Sequence, residues 1–337
     1  MTRSPHPRSS AAPSPASDDV PAVAIDGLIK RYGELVAVDG LSLTVPRGEI
    51  LGLLGPNGSG KTTTISCLLS LLSYDAGQVR VLGKPMTPTS YALKRRVGLV
   101  PQEVAVLDEL TVRENVDAFC ALYVSERTAR HELVEEAIAF VGLEKFARFR
   151  PSKLSGGLLR RLNIACGIAH RPELVIFDEP TVAVDPQSRN AILEGISRLN
   201  EQGATIIYTS HYMEEVEQLC DRVVIMDAGR QVAAGTPREL TAMIGTGDRV
   251  SAELLAPETH GEVFLERLRR LEHVRSASID SEGLLAVECR PGSHNLSDIL
   301  SVLSEAGVTV GRVTSQPPTL NDVFLEITGR ALRDEAA

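Results

Sequence analysis

No CxxC pair occurs in the 337 residues, and the five cysteines (Cys67, Cys120, Cys166, Cys220 and Cys289) are far apart and odd in number. A disulfide framework and a cysteine-rich zinc site are thereby excluded, and a reducing, cytoplasmic compartment fits best. Long apolar runs are missing as well. The longest, around Ile65–Leu72, is broken by Ser66 and Ser70 and falls far short of the roughly 18 residues that cross a bilayer, so any membrane role comes through a partner protein. The residues after Met1, TRSPHPRSSAAPSPASDD, hold no apolar h-region, which argues against a secretory signal. Their proline, serine and alanine predict a disordered tail over residues 1–21. Basic stripes are also absent. The net charge is −9, with 26 basic and 29 acidic groups in residues 1–242 and 9 and 15 in residues 243–337, which excludes nucleic acid as a partner on electrostatic grounds.

What remains is an ordinary globular composition, 43% hydrophobic and 23% charged, in a chain long enough for roughly two domains. Residues 22–242 alternate compact apolar runs with longer amphipathic stretches. Ile50–Leu54 (ILGLL), Leu174–Phe177 (LVIF) and Thr205–Tyr208 (TIIY) read as buried strands, each followed by a turn and a helical pattern. This is the βαβ signature of a parallel sheet covered by helices. Thr111–Val141 carries Val112, Val116, Phe119, Cys120 and Tyr123 at helical spacing and reads as a helical insertion. Thr236-Pro237-Arg238-Glu239 supplies an N-cap, a proline at the first helical position and a capping glutamate.

Near residue 243 the pattern changes. A strand (Val250–Leu255), a helix (Gly261–Leu271), a hairpin (Val274–Ile279 and Leu284–Cys289 about Ser281-Glu282-Gly283), a helix (Leu296–Ala306) and a strand (Val308–Val313) follow in order. That βαββαβ succession predicts a small ferredoxin-like α+β domain over residues 243–337. Thr319 and Asp322 then cap a last helix, Leu320–Ile327.

Gly55-Pro56-Asn57-Gly58-Ser59-Gly60-Lys61-Thr62 fits GxxxxGK[ST] and sits between the ILGLL strand and a helical run predicted from Thr62 to Leu72. Gly55, Pro56, Asn57, Gly58, Ser59 and Gly60, with Lys61, Thr62 and Thr63, form the candidate phosphate cradle. Its glycines free backbone N–H groups for phosphate oxygens, and the helix N-terminus adds its positive end. Lys61 supplies a point charge for the β- and γ-phosphates, and Thr62 a hydroxyl for Mg²⁺. Leu174–Glu179 (LVIFDE) ends an apolar strand on two carboxylates, a costly arrangement unless they work. Asp178 suits a Walker-B ligand of Mg²⁺, and Glu179 a general base acting on water.

These two motifs establish only an NTPase. Leu154-Ser155-Gly156-Gly157, about 20 residues before the Walker-B strand, narrows the reading. With it the sequence resembles the ATP-binding cassette (ABC) family, whose LSGGQ signature stands at this position; Leu158 replaces the usual glutamine. The resemblance implies a P-loop ATPase fold with a helical signature subdomain at about 103–165. It implies that Ser155, Gly156 and Gly157 bind ATP held by a second copy. Gln102, in Pro101-Gln102-Glu103, resembles the Q-loop glutamine that senses Mg²⁺ and links to the membrane subunit. His211, in Thr209-Ser210-His211, resembles the switch histidine at the γ-phosphate. Asp185 resembles the D-loop aspartate at the dimer interface, and equally suits an N-cap. Tyr32, in Lys30-Arg31-Tyr32-Gly33, resembles the aromatic that stacks on adenine; the other reading is a core tyrosine at a strand end.

The resemblance covers Ile25 to about Ala242. Arg160–Ala165, Asp185-Pro186-Gln187-Ser188-Arg189, Ser210–Glu215 and the Pro318–Arg330 tail look like ABC-2-type export ATPases, the tail like drug-resistance-type members. It implies an ATP- and Mg²⁺-dependent hydrolase and catalytic roles for Lys61, Gln102, Glu179 and His211. It also implies a head-to-tail dimer, a separate integral membrane permease, and residence at the cytoplasmic face of the membrane. The alternative is a soluble ABC ATPase of translation or DNA repair. Against it stand the single cassette, the absence of coiled-coil or zinc insertions and the acidic balance. The remaining histidines (His6, His131, His170, His260, His273, His294) read as surface or packing residues, and the cysteines as core fillers.

Overall fold

The computed structural model describes residues 20–245, 247–255, 263–280, 283–291 and 296–329. Most of the expected tail (residues 1–19), part of the 281–283 turn and residues 330–337 lie outside the described residues. The chain begins with β1 (Val23–Tyr32), β2 (Leu35–Val45), β3 (Ile50–Leu54), α1 (Lys61–Leu68), β4 (Ala76–Val81), β5 (Lys84–Pro85), α2 (Tyr91–Lys94) and β6 (Val97–Val100). Then come α3 (Val112–Ala121), α4 (Arg127–Phe140), α5 (Gly156–Ile168), β7 (Leu174–Asp178), α6 (Pro186–Glu201), β8 (Thr205–Ser210), α7 (Met213–Leu219), β9 (Arg222–Asp227), β10 (Arg230–Gly235) and α8 (Pro237–Ala242). The C-terminal part holds β11 (Arg249–Leu254), α9 (Val263–Arg269), β12 (Val274–Ile279), β13 (Leu284–Cys289), α10 (Leu296–Glu305), β14 (Val310–Gln316) and α11 (Leu320–Thr328).

The three apolar runs singled out in the sequence are neighbours. A six-stranded sheet runs β10-β9-β3-β8-β7-β6, parallel from β9 to β6, with β10 added antiparallel. Its central strands are buried on both faces, so they read as unbroken hydrophobic segments rather than alternating ones. One face carries α1 and a second sheet, β2-β1-β4-β5, which is antiparallel. The other face is covered by α5, α6, α7 and α8. The antiparallel sheet was not anticipated, because β1 and β2 alternate only loosely and contain register shifts that blur the period-two pattern.

The expected helical insertion is α3 and α4, packed with α5 about a core of Val116, Cys120, Ile138 and Leu162. Thr111 and Glu114 form a reciprocal capping box at the start of α3. Fully buried Asn115 ties down the incoming loop, accepting from Leu107 N–H and donating to the carbonyls of Leu107, Leu110 and Thr111. The helix expected to reach Leu72 stops at Leu68. Ser70 adopts a φ of 53°, and the N–H groups of Leu71 and Leu72 turn back to the Ser66 carbonyl, a left-handed helix stop.

The C-terminal strands assemble as β12-β13-β11-β14, antiparallel throughout, which is the ferredoxin-like order expected of βαββαβ. The strand expected from Val308 begins at Val310, because Gly307 (φ 72°) closes α10 and Val308 N–H still bonds to Leu303 O. The last helix forms where expected, and what was not anticipated is where it packs. The capping box of Thr319 and Asp322 is present, but Leu320, Val323 and Phe324 are fully buried in the core beneath α7 and α8. Phe324→Ala should therefore cost about 3–5 kcal/mol and lower the unfolding midpoint of the nucleotide-binding core, read by denaturant titration. Loss from the C-terminal sheet alone would contradict this packing.

Candidate functional site

Chain order and strand order together create the site. β3, β8, β7 and β6 are adjacent, and each of their C-terminal ends releases one chemical group: the glycine loop, His211, the Asp178–Glu179 pair and Gln102. Ligands of open α/β sheets bind outside these strand ends.

The loop after β3 needs glycine for stated reasons. Gly60 sits at φ 101°, and a Cβ there would lie 2.5 Å from the Ala37 carbonyl oxygen. Gly58 has φ 78° and nothing within 4 Å of where its Cβ would stand. Lys61 opens α1, a helix with no acidic residue in its first turn, so its positive end is left for an anion. The Lys61 ammonium is buried. It donates to Gly55 O (2.7 Å) and Pro56 O (3.2 Å) and lies 3.6 Å from Glu179 Oε1. The hydroxyls of Ser59 and Thr64 are buried with no hydrogen-bond partner among the described residues.

Glu179 is the meeting point. It is only 5% exposed. Gln102 Nε2 donates to its Oε2 at 3.2 Å, and His211 Nδ1 stands 3.4 Å from the same oxygen. The His211 ring, assisted by the charge of Lys61, holds the carboxyl below its ordinary 4.5, outweighing burial. Its backbone φ of 47° lies in the left-handed region. Thr209 holds it there, as Glu179 N–H donates to Thr209 O (3.2 Å) and Oγ1 (3.0 Å). The same hydroxyl donates to Asp178 Oδ1 at 2.6 Å. Thr209 was missed in the sequence. Its place two residues before His211 on a buried strand was the available signal.

Not all candidates join this group. Ser155 N-caps α5, accepting from Leu158 N–H at 3.4 Å, while Leu158 itself packs partly buried on the helical core. Gly157 touches α6, where a Cβ would meet Ser188 Oγ at 2.5 Å and Asp185 Oδ2 at 3.1 Å. Asp185 is the N-cap of α6, accepting from Ser188 N–H at 2.9 Å. Ser155, Gly156, Gly157 and Asp185 thus form a second cluster, on helix starts. Tyr32 stands apart at the end of β1, 47% exposed with Lys30 Nζ 5.0 Å above its ring, which rules out the core-tyrosine reading. Arg160 and Asn163, on α5, were also missed as site-builders. Both donate to the Pro101 carbonyl at 3.2 Å, and Arg160 also to that of Gln102 at 2.6 Å.

The residues fit a nucleoside triphosphate: a glycine cradle at a helix start, a buried lysine, and two orphaned hydroxyls beneath. Thr62, exposed at the rim, and Asp178 offer the hydroxyl and carboxylate oxygens suited to Mg²⁺. Among the described residues no cluster of histidine, cysteine and carboxylate groups forms a dedicated metal site. The five cysteines are buried thiols outside any disulfide, and burial pushes the Cys166 thiol up to about 12.

Residues 38–182 match the ABC transporter family, and residues 235–328 match the C-terminal domain of DrrA1-3-like ATP-binding proteins. The linearmycin resistance ATP-binding protein LnrL of Bacillus subtilis is 40% identical over 92% of this chain and 99% of that protein. The chain belongs to the ABC transporter ATP-binding family. This ABC protein is also 37% identical, over 91% of its length and 96% of the relative's, to the daunorubicin resistance ATP-binding protein DrrA3 of Streptomyces coeruleorubidus. Against the Nod factor export ATP-binding protein I of Ralstonia nicotianae it is 35% identical, over 96% and 98% of the two chains. A solved ATP-binding subunit of an ABC transporter superposes with a TM-score of 0.61 at 26% identity, covering 66% of this chain and 92% of that one. A bacterial ABC transporter cassette solved as a dimer gives 0.59 at 25% identity, covering 64% and 98%. The ABC ATPase is thus an enzyme that hydrolyses ATP in the service of transport, as its motifs implied, and the soluble alternative is not favoured.

The depressed Glu179 titration has a sign. Its folded-state value lies below the unfolded one, so the stabilisation is present above the ordinary carboxylate range and is lost as pH falls through the folded value. Glu179→Gln should therefore flatten the acid limb of stability, seen as a wild-type-minus-variant difference in unfolding free energy that shrinks as pH falls. A difference independent of pH would contradict the assignment.

Proposed function

We propose that this ABC ATPase powers export through a separate integral membrane permease at the cytoplasmic face of the membrane, working as a head-to-tail pair of copies. The observation that carries the chemistry is the buried Glu179 carboxylate, met at once by Lys61, Gln102 and His211. In this reading the Gly55–Thr63 loop cradles the triphosphate of ATP, and Tyr32 receives the adenine. Glu179 takes a proton from the attacking water. Water oxygen bonds to the γ-phosphorus as the bond to the β–γ bridging oxygen breaks, and ADP and phosphate leave. Lys61 and His211 neutralise charge on the γ-phosphoryl group. Thr62, Asp178 and Gln102 would hold Mg²⁺, which would supply Lewis-acid neutralisation of phosphate charge.

The second cluster supports the pairing. One chain carries one cradle and one signature, and Ser155 and Gly156 lie exposed at the start of α5 rather than beside Lys61. A twofold pair offers each cradle the Ser155–Gly157 segment of the other copy, with Asp185 nearby. ATP then joins the two copies, and loss of the γ-phosphate releases them. The nucleotide-binding unit spans residues 22–242, with its helical subdomain at about 103–165, and an accessory α+β unit spans 243–337, its last helix α11 docked into the core of the nucleotide-binding unit. Among the described residues no helix is long and apolar enough to cross a membrane, which supports a permease on another chain. Two relatives named for resistance to linearmycin and daunorubicin make antibiotic efflux the first transport activity to test.

Glu179→Gln should retain ATP binding, lose turnover by a factor of about 10² or more, and accumulate as a dimer with ATP in size-exclusion light scattering. Wild-type turnover in that variant would sink the general-base role. Pull-down of the native protein from detergent-solubilised membranes should recover a polytopic membrane protein; recovery of ribosomal or repair factors instead would overturn the export reading.

A further inference from the structure

The ATP site accounts for Lys61, Gln102, Asp178, Glu179 and His211. One buried charged cluster behind it is left over. Glu215, on α7, is 2% exposed. Its Oε2 accepts three hydroxyl hydrogen bonds: from Tyr208 at 2.6 Å, Thr181 at 2.9 Å and Ser210 at 2.9 Å. Its Oε1 is paired with the Nε of Arg189, in the first turn of α6. Four donors from three separate segments thus end on one carboxylate.

Those segments are the ones that frame the hydrolytic centre. Thr181 lies two residues beyond Glu179. Tyr208 and Ser210 lie on β8, and Ser210 directly precedes His211. Ser210 Oγ also accepts from Tyr212 N–H at 2.9 Å, which closes the Ser210-His211-Tyr212 turn. On the far side the Arg189 guanidinium stacks 4.4 Å above the Tyr212 ring, and that ring leans on His211 at 4.2 Å between centroids. The imidazole is therefore held from two directions, by the turn through Ser210 and by Tyr212 through Arg189, and both routes start at Glu215.

A buried ion pair alone does not argue for stability, since desolvation offsets its Coulombic gain and apolar replacements are often neutral. What it does supply is direction. The three hydroxyls arrive on one oxygen and Arg189 on the other, so shifting the carboxylate disturbs all three segments together. α6 carries the effect outward, because its N-cap Asp185 and Ser188 abut Gly157 of the signature.

We propose that Glu215 is a positioning residue for ATP hydrolysis, which holds the His211 imidazole against the Glu179 carboxylate and ties that geometry to the first turn of α6. This rests on the roles of Glu179 and His211 given above. The substitution Glu215→Gln keeps the shape and one acceptor oxygen but loses the charge that Arg189 pairs with. In the full-length protein it should lower kcat by roughly tenfold or more while KM for ATP stays within about twofold, because the triphosphate contacts are untouched. In spectra of histidine-labelled protein the His211 ring resonance should move, and that of His170, stacked on Tyr123, should not. Ser210→Ala cuts one of the two routes and should shift the same quantities in the same direction, more weakly.

Wild-type kcat in Glu215→Gln, or a fall in kcat with an unmoved His211 resonance, would overturn the proposal. So would failure of both variants to fold, since that outcome makes the cluster a packing element. Glu179→Gln and His211→Ala, assayed alongside, separate the two levels. If they lose turnover and Glu215→Gln does not, only the positioning role fails. If they keep turnover, the assignment of the hydrolytic centre fails first.

Discussion

A carboxylate taken out of water must have its charge and its lone pairs answered, or it protonates and loses its chemistry. Glu179 meets that constraint with neighbours from three other strand ends: an ammonium on one oxygen, an amide and an imidazole on the other. The result is a carboxylate kept ionised inside the protein, which is what a base poised on a water molecule requires. The backbone pays a price in strain, since a non-glycine residue at φ 47° costs on the order of 1–3 kcal/mol and persists only where its surroundings over-determine it. Thr209 is that surrounding. By holding both the Glu179 amide and the Asp178 carboxylate, one hydroxyl orients the two acidic residues differently although they are adjacent in the chain.

The parallel sheet makes such convergence possible. β3 and β8 are hydrogen-bonded neighbours, so the glycine loop and His211 emerge side by side; β7 follows and β6 comes next. No single segment of sequence contains the site. It exists because four turns, spread from residue 55 to residue 211, leave the same edge of one sheet. Packing on both faces of that sheet fixes the spacing of the turns to the spacing of strands, about 4.8 Å apart.

Much of this could be read before any coordinates. The glycine loop, the paired carboxylates and the parallel strands are demanded by chemistry or by burial on both faces, and such demands leave short, dense patterns. The βαββαβ order was equally plain, because each element there is short and bounded by turn residues. What escaped reading was long-range. Whether the last helix belongs to the sheet before it or to the core 100 residues earlier depends on which apolar face meets Leu320, Val323 and Phe324, and a helix announces that it has such a face without saying what covers it. Glu215 was hidden for a related reason. A glutamate at the start of a helix reads as a solvated, dipole-favoured residue; only its four donors, two of them (Thr181 and Arg189) well upstream in the sequence, make it a buried hub. Tyr32 had two readings that its exposure alone separates.

The signature helix shows how one element serves two bodies. α5 places Ile164 and Ile168 in the core under the parallel sheet, and Leu162, Ala165 and Cys166 in the core of the helical insertion. From its buried middle, Arg160 and Asn163 grip the carbonyls of Pro101 and Gln102, so the segment that presents Gln102 to Glu179 is fastened to the helix that begins at Ser155. One helix therefore joins the two ends of the arrangement: the Ser155 turn at its start and, through two side chains a turn apart, the Gln102 backbone. Its seat is the apolar seam between the sheet and the helical insertion, where close packing leaves the two ends little freedom to shift independently.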